Sequence, residues 1–194
     1  MSILDKVAAA VAPAASQEDM MKARQKAEQI SAGEPWLREI LEHHKKIEGL
    51  LEQVINGPDA NARREALRDF SKILAGHSIA EEMAVYPGVT EISKAHGAMA
   101  YEEQSMAKIQ SAKMEKLDPM SQEWRDKGEH IRSAIQQHVY QEEDSWYPEL
   151  ANKLSANEKQ HITSRYNEEY ERYCGSDDSS SSSGVSRTAT QSAL

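Results

Sequence analysis

One eleven-residue pattern occurs twice in this chain and limits what the chain can fold into. Residues 77 to 87 read His77-Ser-Ile-Ala-Glu81-Glu82-Met-Ala-Val-Tyr86-Pro87, and residues 138 to 148 read His138-Val-Tyr-Gln-Glu142-Glu143-Asp-Ser-Trp-Tyr147-Pro148. Both obey His-x3-Glu-Glu-x3-Tyr-Pro, and the two copies lie 61 residues apart. The chain therefore reads as two halves on one plan, each with a helix that ends at a Tyr-Pro. On a helix, His at i and Glu at i+4 stack on one face, ~6 Å apart. Two such pairs brought face to face would gather imidazoles and carboxylates in one place.

The flanking sequence says that this place is the core. Taken at alternating spacings of 3 and 4, the apolar stripe of a helix opened by Pro35 is Leu37, Ile40, His44, Ile47, Leu51, Val54. His44 points inward on that stripe, and His43 falls off it. Asn56-Gly57-Pro58-Asp59 is a turn. The next helix, from about Ala60 to Tyr86, continues the same rhythm with Leu67, Phe70, Leu74, His77, Glu81 and Ala84. There the His/Glu pair occupies positions that would otherwise hold leucine. A carboxylate on such a stripe is costly unless it is paired or bound to metal.

A third helix, from about Thr90 to Lys116, gives two conflicting cues. Its best stripe is Val89, Ile92, His96, Met99, Glu103, Met106, which turns His96 and Glu103 inward. The internal repeat points elsewhere: His44 precedes His77 by 33 residues, and 34 residues before His138 stands Gln104. After Asp118-Pro119 a fourth helix runs to about Trp146 with the stripe Gly128, Ile131, Ile135, His138, Glu142, Ser145. His130 lies beside that stripe as a flanking residue.

Four long helices joined by short turns predict an all-α, antiparallel up-down-up-down four-helix bundle. Extra helices flank it. Ser16-Gln-Glu-Asp19 opens a polar helix to about Ile30, and Ser155-Ala-Asn-Glu158 is a capping box for a helix to about Tyr173. The implied domains are an N-terminal extension over 1–33, the bundle over 34–150, a C-terminal helix over 151–174 and a disordered serine-rich tail over 175–194. Residues 1 to 15 read as mobile. They loosely resemble a signal peptide, but a short apolar run and mixed charge weigh against secretion.

Composition narrows the function classes. The net charge of −9 argues against nucleic acid or an anionic membrane as the main partner. The single cysteine, Cys174, rules out an internal disulfide framework and favours a reducing, cytoplasmic location. No apolar run of 18 residues is present to span a membrane.

The inward polar set is thus His44, His77, Glu81, His138 and Glu142, with His96, Glu103 or Gln104 from the third helix. Mixed imidazole and carboxylate donors suit iron or manganese better than a structural zinc site. Two carboxylates on opposing helices can bridge two metals while histidines cap each one.

At these residues the sequence resembles the hemerythrin-like, or HHE cation-binding, family. The resemblance covers roughly residues 34 to 150. It rests on His44 followed by Lys-Lys-Ile, on His77/Glu81 with Tyr86-Pro87, and on His138/Glu142 with Tyr147-Pro148. It implies a four-helix bundle with a non-haem di-iron centre that binds or reacts with dioxygen or peroxide. Roles in oxygen or redox sensing, iron handling or stress response follow from the same resemblance. By it, His44, His77 and His138 are terminal ligands, and Glu81 and Glu142 are bridging carboxylates. Gln104 departs from the pattern, because the family usually places a histidine there. The metal position on that side is therefore expected to take His96 or Glu103 instead, or to stay open and make the site asymmetric. A mono-iron or manganese site is also compatible with these donors.

Two other readings compete. A ferritin-like oxidase would build its site from Glu-x-x-His pairs, and the one such pair, Glu158-x-x-His161, lies outside the bundle. A metal-free helical interaction protein would need every member of a buried polar network to be satisfied. Whether the chain turns over a substrate, and whether its terminal helices form a homo-oligomer, stays open at this level.

Overall fold

The computed structural model describes residues 15–175, and among these every regular element is helical. The expected serine-rich tail and nearly all of the expected mobile start lie outside the described residues. In chain order the helices are α1 (Gln17–Ser31), α2 (Pro35–Asn56), α3 (Ala60–Ala84), α4 (Tyr86–Ile92), α5 (Lys94–Met114) and α6 (Gln122–Gln141). A π-helical turn (Glu142–Trp146) continues α6 into α7 (Tyr147–Ala151), and α8 (Ala156–Cys174) ends the described chain.

Local chemistry sets these boundaries. The side chains of Ser16, Asp59, Ser93, Ser121 and Ser155 each accept a backbone N–H of the following first turn. Ser155 and Glu158 complete a reciprocal capping box. Pro35 sits in the first turn of α2, where no N–H is needed.

The two Tyr-Pro pairs do more than end helices, the role expected of them. A helix does end before each one, α3 at Ala84 and the π-helical turn at Trp146, but each pair also begins a helix: Tyr86-Pro87 opens α4 and Tyr147-Pro148 opens α7, with proline again in the first turn. A proline cannot donate to the helix behind it, so it resets the hydrogen-bond ladder while the chain runs on. The expected third helix is accordingly split at Ser93 into α4 and α5.

The four long helices enclose the core in a ring: α2 packs on α3 and α6, and α5 packs on α3 and α6. Trp36, Leu37, Ile40, Ile47, Leu51, Phe70, Ile131 and Trp146 lie in this core. The stripes predicted for α2, α3 and α6 face inward except at the last positions of the α3 and α6 stripes, where Ala84 is half-buried and Ser145 exposed, and they bring in His44, His77, Glu81 and His138.

That of α5 does not. Its buried residues are Gly97, Ala100, Gln104, Ala107, Ser111 and Met114. Met99 and Met106 are exposed instead, and His96 and Glu103 sit half-buried on the flanks. Small residues carry the inner face because neighbouring chain comes close, and a β-carbon on Gly97 would overlap the Thr90 hydroxyl. A face of Gly, Ala and Ser gives little hydropathy signal, so the methionines drew the expected stripe to the wrong side.

The flanking helices are part of the packed body. α8 lies along α3 and also meets α2, burying Ile162, Tyr166, Glu169, Tyr170 and Cys174. Gly76 of α3 permits this approach, because a β-carbon there would overlap Cys174 Sγ. α1 crosses over α2, α6 and the π-helical turn. Among the described residues no helix is long and apolar enough to cross a membrane.

Candidate metal centre

Midway along the bundle, α2 supplies His44, α3 supplies His77 and Glu81, α5 supplies Gln104, and α6 with its π-helical turn supplies His138 and Glu142. All six are at least nine-tenths buried. The donor atoms fall into two groups, His44/His77/Glu81 and Glu81/His138/Glu142, each with its atoms within 4.8 Å of one another. Glu81 belongs to both groups, as a carboxylate shared by two cations would.

The outer partners fix which ring nitrogen faces the site. His44 Nδ1 lies 2.8 Å from Glu143 Oε1, and His138 Nδ1 lies 2.8 Å from Glu103 Oε2. His77 Nδ1 lies 3.0 Å from the Tyr166 hydroxyl, which in turn lies 2.7 Å from His43 Nδ1. In the neutral tautomer each Nδ1–H is donated outward and the Nε2 lone pair points in. This is the arrangement that orients metal-ligating histidines. Inward, His77 Nε2 stands 3.1 Å from Glu81 Oε2, and His138 Nε2 stands 3.3 Å from Glu142 Oε1. His44 Nε2 stands 3.3 Å from Glu142 Oε2 and 3.9 Å from Glu81 Oε1.

Three neutral donors hold the carboxylates. Tyr86 donates to Glu142 Oε1 at 2.8 Å and to Glu81 Oε2 at 3.2 Å. Tyr147 donates to Glu142 Oε1 at 2.6 Å and also to Glu81 Oε1. Gln104 Nε2 donates to Glu81 Oε2. Burial, and then the charges of Glu142 and Glu81, push both tyrosine hydroxyls well above 10.0, so they remain protonated donors.

Electrostatics couple the rest. Burial alone would lower the pKa of His44, but the carboxylates of Glu142 and Glu143 raise it from 6.5 to about 9. For His138 burial is likewise outweighed, by Glu142, Glu103 and Glu81, and the pKa rises to about 10. Glu142 is the counterpart. Burial favours its acid form, yet the imidazoles of His138 and His44 hold it well below 4.5.

A cation fits this donor set. His44 Nε2 and Glu142 Oε2 are both buried and face each other at 3.3 Å as an ion-pair contact, and neither makes a well-formed hydrogen bond. Leaving such groups unpaired costs roughly 1–3 kcal/mol each. Borderline and hard donors converging with open lone pairs are what an iron-type cation takes.

Two of the expected third-helix ligands are not brought in. The His96 ring stacks on Trp146, with centroids 5.5 Å apart, and belongs to neither group. Glu103 reaches His138 from behind, through Nδ1. Gln104, the residue marked by the internal repeat, is the one that faces the carboxylates. His130 and His161 are exposed.

Several contributors escaped the sequence reading. Glu143, 1% exposed, orients His44 and is itself held by Arg24 Nε of α1 at 2.6 Å. Adjacent residues on an α-helix point about 100° apart, so Glu142 and Glu143 would not both face in; the wider π-helical turn lets them. In the other copy of the motif, on regular α-helix, Glu82 turns outward to Lys108. Tyr166 lies on α8, whose polar composition hid it. The two Tyr-Pro tyrosines were read as helix ends, and their recurrence was the available signal.

Tyr166→Phe keeps the packed ring but removes the acceptor for His77 Nδ1–H. The expected result is a metal affinity lowered by roughly 10- to 100-fold, the usual cost of losing an outer-shell partner, with the helical content unchanged. Competition with a chromophoric chelator measures it.

Comparison with known proteins agrees with this geometry. The family model of the Hemerythrin HHE cation binding domain matches residues 37–150. A DNA nickase from Nostoc sp. (strain PCC 7120 / SAG 25.82 / UTEX 2576) is 26% identical over 114 residues. That alignment covers 58% of this chain but only 32% of the relative, so the chain spans about a third of the nickase's length. No solved structure gives a significant match.

Proposed function

Because this chain belongs to the hemerythrin HHE cation-binding domain family, we propose that it holds a pair of iron ions bridged by Glu81 and reacts with dioxygen or peroxide. The observation that carries the reading is the sharing of Glu81 between two buried donor groups. Bound iron would supply the electrons for reducing such a ligand.

The chain's own residues do the rest. His44, His77 and His138 would hold the metal through Nε2, and Glu143, Tyr166 and Glu103 keep those rings in place. Glu142 adds the second carboxylate. Tyr86 and Tyr147 donate protons in hydrogen bonds that offset the two buried negative charges. The surrounding core of Ile47, Leu74, Ile135 and Val139 excludes bulk water. The metal-free alternative is disfavoured by the unpaired His44 Nε2 and Glu142 Oε2, since a structural polar network gains only when complete.

The proposed setting is the cytoplasm, with a small oxidant as partner and neither nucleic acid nor membrane. DNA nicking belongs to the relative; a chain of net charge −9 has little to offer a phosphate backbone.

The test is anaerobic loading with ferrous iron, followed by air or hydrogen peroxide. A new near-ultraviolet charge-transfer band, with oxidation of both irons, is expected. Two tightly held irons that stay ferrous under either oxidant would refute the redox part of the proposal.

A further inference from the structure

Beside the donor cluster, between α2, α3, α5 and α6, lies a small cavity of about 20 Å³. A site needs roughly 10–15 Å³ by this measure to hold one water, so the space suits a molecule of one or two heavy atoms. The imidazoles of His44, His77 and His138 border it, and Ile47, Leu74, Ile135 and Val139 form its apolar wall.

Three further polar side chains line the same cavity; Glu103 is engaged by His138 Nδ1, and the other two each have a buried oxygen with no partner. They are Ser78 Oγ, with the residue 0% exposed, and Gln104 Oε1, with the residue 2% exposed. The orientation of the Gln104 amide is settled by its other end. Glu81 Oε2 can accept only from the amide nitrogen, so Nε2 faces the carboxylate and Oε1 is left over. A carbonyl oxygen accepts and never donates. The ligand that satisfies it must therefore bring an O–H or N–H of its own.

We propose that Gln104 and Ser78 form a hydrogen-bonding subsite for a small protonated ligand, of which hydrogen peroxide is the type, and that they select it over dioxygen. Hydrogen peroxide has two heavy atoms, donates to Gln104 Oε1 with one hydroxyl, and exchanges a second hydrogen bond with Ser78 Oγ. Dioxygen has the size but no hydrogen to donate, so it leaves Gln104 Oε1 unpaired. Buried polar groups discriminate most strongly against ligands that leave them unpaired. The inference rests on the proposed metal site and names which small oxidant it takes. It also gives Gln104 a role in place of the imidazole that the family resemblance leads one to expect there.

The experiment uses the full chain loaded with zinc, which is redox-silent, and titrates it with hydrogen peroxide while following the amide signal of Gln104 and the ring signals of the three histidines by NMR. Saturable shifts are expected in the native chain. Ser78→Ala, which leaves Glu81 and its donors untouched, should weaken peroxide binding roughly three- to tenfold, the worth of one hydrogen bond. Gln104→Leu should weaken it at least as much. Dissolved dioxygen, titrated in parallel, should bind the native chain more weakly than peroxide and should lose no affinity in either variant. Equal peroxide affinity in native and variant proteins that each hold two zinc ions overturns the subsite alone. Failure of the native chain to hold two zinc ions overturns the metal site on which it rests, and the subsite with it.

Discussion

Replacing Glu81 by glutamine should empty both metal positions at once. Glu81 is the member common to the two donor groups, and it receives hydrogen bonds from Tyr86, Tyr147 and Gln104. An amide of the same shape keeps an acceptor oxygen for these donors but loses the charge that two cations would share. Glutamine is also a far poorer ligand for a hard cation than a carboxylate. The affinity loss should exceed the roughly 10- to 100-fold that follows removal of an outer-shell partner. His77→Ala and His138→Ala make the contrast, because each belongs to one group only. Each should cost mainly one ion. Metal per chain after gel filtration, with circular dichroism to verify folding, separates these outcomes. If Glu81→Gln still retains one ion tightly, the shared-carboxylate arrangement is wrong.

The second large effect is an alkaline loss of stability that appears when metal is removed. In the metal-free chain, His44 and His138 have folded-state pKa values raised from 6.5 to about 9 and about 10. Their charged forms are favoured by folding. That stability is fully present below about pH 6.5 and is lost as pH rises through 9 to 10.

His43 acts the other way. Burial, and then the neighbouring His77, His44 and Lys46, push its pKa down to about 3. Its neutral form is favoured by folding, a contribution present above pH 6.5 and lost as pH falls toward 3. Glu142, held well below 4.5, adds a further acid-side loss below that value. The metal-free chain should thus be most stable near pH 6.5 and should lose stability on both sides.

Metal ligation requires the same imidazoles neutral, so binding expels the protons of His44 and His138. Below their raised pKa values the affinity of each position should fall by about tenfold per pH unit for each proton displaced. The loaded chain should therefore hold its melting temperature between pH 6.5 and 9, because its ligand imidazoles are neutral there in both the folded and the unfolded state, over the interval in which the metal-free chain loses stability. Parallel melting curves for the two forms across that interval would contradict the account.

Much of this site was legible before any coordinates. The period of the α2, α3 and α6 stripes placed His44, His77 and His138 in the core, and the repeated His/Glu spacing identified Glu81 and Glu142 as their partners. These cues worked because large apolar neighbours such as Leu37, Phe70 and Ile131 mark the inward face clearly.

The α5 helix lacks such markers. Its inner face is glycine, alanine and serine, so periodicity chose His96 and Glu103, whereas the internal repeat, which does not depend on hydropathy, led to Gln104. Glu143 required knowledge of the π-helical turn, which no composition signal announces. Arg24 and Tyr166 come from helices outside the matched segment of 37–150. Their side chains reach the centre only through the tertiary packing of α1 across the bundle and α8 along α3.

The measurement that tests the central claim most directly is a titration of metal-free protein with ferrous iron under anaerobic conditions, with bound metal counted per chain and the ions located by anomalous diffraction. Two ions, both in contact with Glu81, are predicted. A folded, fully helical chain that takes up no iron, or holds it away from Glu81, would contradict the account.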